Sequence, residues 1–333
     1  MSRSGTLPSH VVANLLDGCL ALRAGEDVVL LTDDGTDAEV VHGLVEAIED
    51  RRGTAVVTRL PRYAIPGSEP PADVAELLLA TPAAIELTST FIGSSAARQA
   101  ATAAGSRYLT MPAVTRDTFR ADGPLDVDFA GIRATTEAVA RAWEGADRFR
   151  LATPGGTDLA GSVRGRRGRA LHGLAREPGS YMAPPDIEAG TAPVEGSTDG
   201  TVVIDGDFLF MGQGPVGSPV ALHFREGRLV GSEGEEASRL LDMMASCQDE
   251  RMTNLAEVSV GLNPKGRICG VPMETESTLG SAHIALGNSI AYGGTVAARA
   301  HLDCVMQSAT LILDDRPVLI EGVLAEGVLT DGV

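Results

Sequence analysis

The sequence predicts an α/β N-terminal domain with a mostly parallel sheet over residues 1–145, followed by a β-rich α+β domain over residues 146–333. Three observations lead there. Apolar runs alternate with helix-period segments up to about residue 145, the order that folds into an open sheet with helices on both faces. The runs themselves, such as DVVLLTD at 27–33, are continuously apolar, as strands buried on both faces are. Beyond residue 145 helical patterns thin out, and strand pairs separated by DG, EG and DD turns replace them.

Residues 8–22 carry Val11, Leu15, Leu16 and Leu20 at helical spacing. The strand at 27–33 follows, then a helix over 36–50, TAVVTRL as a strand at 54–60, and a helix over 71–80. AAIELTS at 83–89, a helix over 93–105 and SRYLTMP at 106–112 continue the alternation, and a last helix spans 127–143. After the first strand stands TDDGTDAE, where a dinucleotide site needs a G-x-G-x-x-G turn to approach the pyrophosphate, so a nicotinamide or flavin dinucleotide is not expected. In the second domain TVVIDGDFLF, PVALHFREGRLVG and ATLILDDRPVLIEGVL read as strands and hairpins, with one helix at 234–250.

Composition narrows the function. With 44% hydrophobic residues the chain can bury a core, and with only 4% aromatics and 39 glycines that core is built from Ala, Val, Leu and Ile. A net charge of −18 argues against nucleic acid and anionic membranes, both of which call for Lys and Arg. The one basic run, Arg164 to Arg169 (RGRRGR), is short and interrupted by glycine, and reads as a solvated hairpin or an inter-subunit contact. The start MSRSGTLPSH has no apolar signal core, and no run of about 18 apolar residues exists. Four cysteines without C-x-x-C spacing suggest reduced thiols and a cytoplasmic location. No G-x-S-x-G elbow is present, which disfavours a serine nucleophile.

The chemistry concentrates near the C-terminus. His301 and Asp303 lie one residue apart in AARAHLDCVM; on a strand, residues i and i+2 share a face, so an imidazole and a carboxylate project side by side. His283 lies in GSAHIALGN, Glu257 in NLAEVSVGLNP and Glu188 in PPDIEAGTAP. Such a set either forms a metal site or consists of polar groups each satisfied separately. Asp186 is expected to be solvated, and Arg251 to make a structural salt bridge.

The order of these motifs resembles the thermophilic metallo-aminopeptidase family (aminopeptidase T and S), of which the 2,5-dihydroxypyridine 5,6-dioxygenases look like a related branch. The family's N-L-P-T-G-E-V-F-T-A-P pattern resembles APPDIEAGTAP, which places Glu188 on its first metal-binding Glu. A-E-L-G-I-G-x-N-P resembles AEVSVGLNP and gives Glu257; H-I-A-L-G-N gives His283; I-H-W-D resembles AHLD and gives His301 and Asp303. The resemblance covers about residues 180–333, with only element order shared before that. It implies that all five residues are metal ligands, that Glu188 and Glu257 have catalytic roles, and that the chain self-associates as a homodimer or larger homo-oligomer. Two His and three carboxylates suit two divalent ions (Zn, Co or Mn) about 3.5–4 Å apart that activate a shared water. There are departures: the family Tyr, seven residues after the HIALGN His, is replaced by Ile290, with Tyr292 two residues further on, and the connection from Glu257 to His301 is short. The expectation is a dinuclear hydrolase of the aminopeptidase type, cleaving an amide or peptide-like C–N bond in a small molecule or short peptide. The alternative is a mononuclear Fe(II) ring-opening dioxygenase of the 2,5-dihydroxypyridine type, with a two-His-one-carboxylate site.

Overall fold

The structure, a computed structural model, describes residues 6–212 and 214–328. Residues 1–5, 213 and 329–333 lie outside the described residues. The fold is α/β with one parallel sheet and two larger antiparallel ones. It divides into two compact units: the first runs to Ala130 and includes His172–Asp186 and Val271–Met273, and the second comprises Gly131–Leu171, Ile187–Gly270 and the chain from Glu274 on.

In the first unit the apolar runs become parallel strands. The order across the sheet is Ala55–Arg59, Val28–Thr32, Ala83–Glu86, Arg107–Thr110 and Tyr181–Met182. Val28–Thr32 is buried at every position, as expected of a strand covered on both faces. Helices Ala38–Asp50, Ala72–Ala80 and Ala96–Ala103 lie between the strands in sequence. The Asp37 carboxylate caps the first of these through Glu39 N, and Ser95 caps the third through Arg98 N. Val29, Leu31, Val74, Leu78, Ala84 and Tyr108 form its core. The predicted helix over 8–22 is a short α-helix, Ser9–Ala13, running into a π-helix at Asn14–Cys19.

The second unit is mainly antiparallel. One eight-stranded sheet runs from Arg228–Glu233 at one edge to Val323–Leu324 at the other. The six-stranded sheet has the order Asp207–Phe208, His301–Met306, Ala282–Gly287, Leu255–Gly261, Glu188–Thr191 and Arg169–Leu171. Its centre is fully buried, including all of Leu255–Gly261 and Ala282–Gly287. Helix Phe129–Gly145 supplies Trp143, whose buried indole N–H donates to the Ala189 carbonyl at 3.2 Å and so braces the strand that carries Glu188.

Asp186 is buried rather than solvated. Arg251 behaves as expected: both carboxylate oxygens of Asp249 accept from its guanidinium, at 2.8 and 2.9 Å.

Candidate metal centre

Register places the five expected residues on one face of the six-stranded sheet. Directly opposed residues in antiparallel strands share a face. His283 opposes Val305, which lies in step with Asp303 and His301. Ser259 opposes His283 and is in step with Glu257, and Gly261 opposes Glu188. Four neighbouring strands therefore send two imidazoles and three carboxylates into one space. Gly190 makes part of this possible: a β-carbon there would lie 1.6 Å from Ser259 Oγ and 2.6 Å from the Val258 carbonyl.

Glu257 is at the centre. It is 0% exposed, its Oε1 lies 3.2 Å from His283 Nε2, and its Oε2 lies 2.8 Å from His301 Nε2. Ser259 Oγ donates a short hydrogen bond to Oε1. Glu188 Oε2 lies 3.0 Å from His283 Nε2, while Glu188 Oε1 accepts from the Tyr292 hydroxyl at 2.7 Å. Asp303 Oδ1 lies 3.2 Å from His301 Nε2, and His301 Nδ1 is 2.7 Å from the Asn288 carbonyl. A carbonyl only accepts, so Nδ1 carries the proton and Nε2 is left to face the carboxylates.

The electrostatics follow from this crowding. Burial pulls the His283 pKa down, but the charges of Glu188 and Glu257 outweigh it and hold the pKa well above the usual value. Asp303 and Glu257 do the same for His301. For Glu257, burial pushes upward, and the two imidazoles beside it overcome this and lower the carboxyl pKa.

Two further residues complete the group. Glu276, buried in the turn before the His283 strand, brings a carboxylate oxygen within 4.8 Å of donor atoms of His283 and Asp303. No sequence periodicity marks it, because a turn residue follows neither strand nor helix spacing. Tyr292, offset by two residues from the family tyrosine, reaches the site nonetheless: it lies in the turn Ile290–Tyr292, and its ring stacks on His301 at 5.4 Å between centroids and 7° between planes.

These donors fit a divalent cation. Two Nε2 atoms can supply only two N–H bonds, yet each faces two carboxylates. Glu188 Oε2 and Glu257 Oε2 complete no hydrogen bond despite their proximity to imidazole nitrogen, and neither does the buried His283 Nδ1. Oxygens and nitrogens turned toward one space, rather than along each other's N–H directions, are what metal bonds near 2 Å require. Overlapping triads Glu188–Glu257–His283, Glu257–His301–Asp303 and Glu276–His283–Asp303 each hold donor atoms within 4.8 Å of one another. Mixed imidazole and carboxylate donors suit Fe, Mn, Co or Zn.

Comparison with known proteins decides between the two chemistries expected from the motifs. A family model described as 2,5-dihydroxypyridine 5,6-dioxygenase matches residues 10–326. A curated 2,5-dihydroxypyridine 5,6-dioxygenase from Pseudomonas putida is 27% identical over 162 residues, covering 45% of this chain. That alignment spans 46% of the relative's own length. Among solved structures, 2,5-dihydroxypyridine dioxygenase from Pseudomonas putida KT2440 superposes with a TM-score of 0.78 at 18% identity, covering 96% of each chain. Wild-type AmpT from Thermus thermophilus superposes with a TM-score of 0.66 at 16% identity, over 95% of this chain and 98% of its own. At such identities the structures show a shared fold alone.

The expected aminopeptidase-type hydrolase is therefore overturned by the family match, which names an oxidoreductase. The physical reason is that AmpT shares the fold too, so the scaffold does not distinguish this chain from either protein. The family implies a metal, and the donor group suits one. With the match running over nearly its whole length, from residue 10 to residue 326, the chain belongs to the 2,5-dihydroxypyridine 5,6-dioxygenase family.

Proposed function

We propose that this chain opens a hydroxylated nitrogen-heteroaromatic ring with dioxygen, using one Fe(II) ion held by His283, His301 and Asp303, in place of the pair of Zn, Co or Mn ions expected for a hydrolase. The observation that carries this reading is the convergence of both imidazole Nε2 atoms on Glu257, with Asp303 3.2 Å from one of them. Two imidazoles and one carboxylate are the ligand set of non-haem Fe(II) oxygenases. When bound, the ferrous ion supplies the one-electron chemistry that lets dioxygen react with an electron-rich ring.

The chain's own residues do the rest. The Asn288 carbonyl fixes the His301 tautomer so that Nε2 presents its lone pair. Glu257, between the imidazoles and held by Ser259, is a further ligand. Glu188 keeps Oε1 on the Tyr292 hydroxyl and offers Oε2 as the acceptor for a proton leaving a ring hydroxyl. The substrate is a small molecule rather than a peptide. Self-association is part of the same proposal, supported by Ile320 and Val323, which are 51% and 68% exposed at an edge of the eight-stranded sheet. A cytoplasmic, reducing location is supported by Cys19, Cys247 and Cys304, which are buried as thiols. Among the described residues no helix is long and apolar enough to cross a membrane.

The test is iron content after anaerobic loading. One iron per parent chain, lost together with activity in His301→Ala, is the expected result; iron retained by that variant would reject the assignment.

A further inference from the structure

Within the basic run Arg164–Arg169, Arg164 and Arg167 are exposed, whereas Arg166 and Arg169 turn onto main-chain carbonyls. Arg166 donates to the Gly293 carbonyl at 2.7 Å and the Pro193 carbonyl at 3.2 Å, and pairs with Glu195. Arg169 donates to the Ala291 carbonyl at 3.2 Å, and its guanidinium lies 4.5 Å from the Tyr292 ring centroid. Glu195 in turn accepts from Thr295 N and Oγ1 at 2.7 and 2.9 Å. Every carbonyl or amide held here lies in 291–295 or in the segment just after the Glu188 strand. Ala192 N closes the ring of contacts by donating to the Tyr292 carbonyl at 3.1 Å.

From this geometry we infer that Arg169 and Tyr292 are positioning residues for the metal centre, with Arg166 and Glu195 clamping the loop that carries Tyr292. The inference rests on the metal reading above. Tyr292 acts on two groups at once: its hydroxyl fixes Glu188 Oε1, and its ring lies flat against His301. A guanidinium over the phenol draws electron density from the ring and makes its O–H a stronger donor to the carboxylate. Arg169 thus acts on Glu188 through Tyr292, without touching the donor atoms. Glu188 Oε2 lies 3.0 Å from the Nε2 of the ligand His283, so a Glu188 carboxylate that Tyr292 no longer holds disturbs that ligand, and removing such a partner costs metal affinity even though every ligand remains.

Tyr292→Phe, Arg169→Gln and the double variant, each in the full chain, test this by anaerobic titration with Co(II) followed by its visible absorption spectrum. Tyr292→Phe weakens Co(II) binding about 10-fold and changes the spectrum, with thermal unfolding of the metal-free chain unmoved. Arg169→Gln weakens binding less, Arg169→Lys restores part of it by keeping the cation, and the double variant is no weaker than Tyr292→Phe alone. Losses that simply add, or an unchanged affinity and spectrum in Tyr292→Phe, overturn the inference while leaving the metal reading standing. A parent chain that takes up no Co(II) overturns both.

Discussion

Gly190→Ala puts the packing of the site under direct strain. The added methyl carbon would sit 1.6 Å from Ser259 Oγ, 2.5 Å from Ser259 Cβ and 2.6 Å from the Val258 carbonyl oxygen. Ser259 can rotate away, but it then loses its hydrogen bond to the buried Glu257 carboxylate, a loss of about 1.5–3 kcal/mol for a bond to a charged group. Val258 is main chain in the paired strand and cannot rotate; separating the strands to admit the methyl costs about 1–3 kcal/mol, as overpacking does. Together these give a loss of roughly 2.5–6 kcal/mol, or on the order of 10 °C in melting temperature for a unit of this size. The assay is thermal unfolding by circular dichroism of the metal-free chain, with metal uptake measured in parallel. Ser259→Ala separates the two parts, since it removes only the hydrogen bond and melts between parent and Gly190→Ala. If Gly190→Ala melts with the parent and binds metal equally well, the packing account of Glu257 is wrong.

Other predictions concern different parts of the molecule. Burial raises the Glu86 pKa from 4.5 to about 7 despite hydrogen bonds from Ile92, Thr110, Tyr108 and Thr88. Folding therefore disfavours its charged form, so its contribution is most favourable below pH 4.5 and about 3 kcal/mol is lost as pH rises through 7. Glu86→Gln should flatten this part of the stability profile, measured by urea unfolding at several pH values; parallel profiles for parent and variant would refute it. His283→Ala and Asp303→Ala should each lower metal affinity by at least 10-fold while the metal-free chains stay folded, as read by isothermal titration, and an unaltered titration in either would remove that residue from the ligand set. Light scattering at micromolar concentration should give at least twice the 34.5 kDa chain mass, and a monomer alone would end the self-association proposal.

How much of this was legible beforehand differs by element. The buried strand at 28–32 and the helix at 38–50 follow from apolar periodicity, because each pattern reflects a single burial environment. The strands Asp158–Ser162, Arg169–Leu171 and Tyr181–Met182 carry no such pattern; the last is two residues long and depends on pairing with a strand more than 70 residues earlier. His301 and Asp303 were legible as a pair because strand alternation is local, and motif resemblance supplied His283, Glu257 and Glu188. Glu276 was not, since it enters from a turn whose path is set by tertiary contacts. The role of the RGRRGR run was also hidden: Arg166 and Arg169 reach main-chain carbonyls more than 120 residues away, a relation no local pattern encodes. Reaction type was least legible, because one scaffold serves both the dioxygenase and AmpT.

The most direct test of the central claim is oxygen uptake by the Fe(II)-loaded chain given 2,5-dihydroxypyridine in a sealed electrode cell. The account predicts one dioxygen consumed per substrate lost, and no loss of substrate once oxygen is removed. Substrate consumed at the same rate under strict anaerobiosis would contradict it.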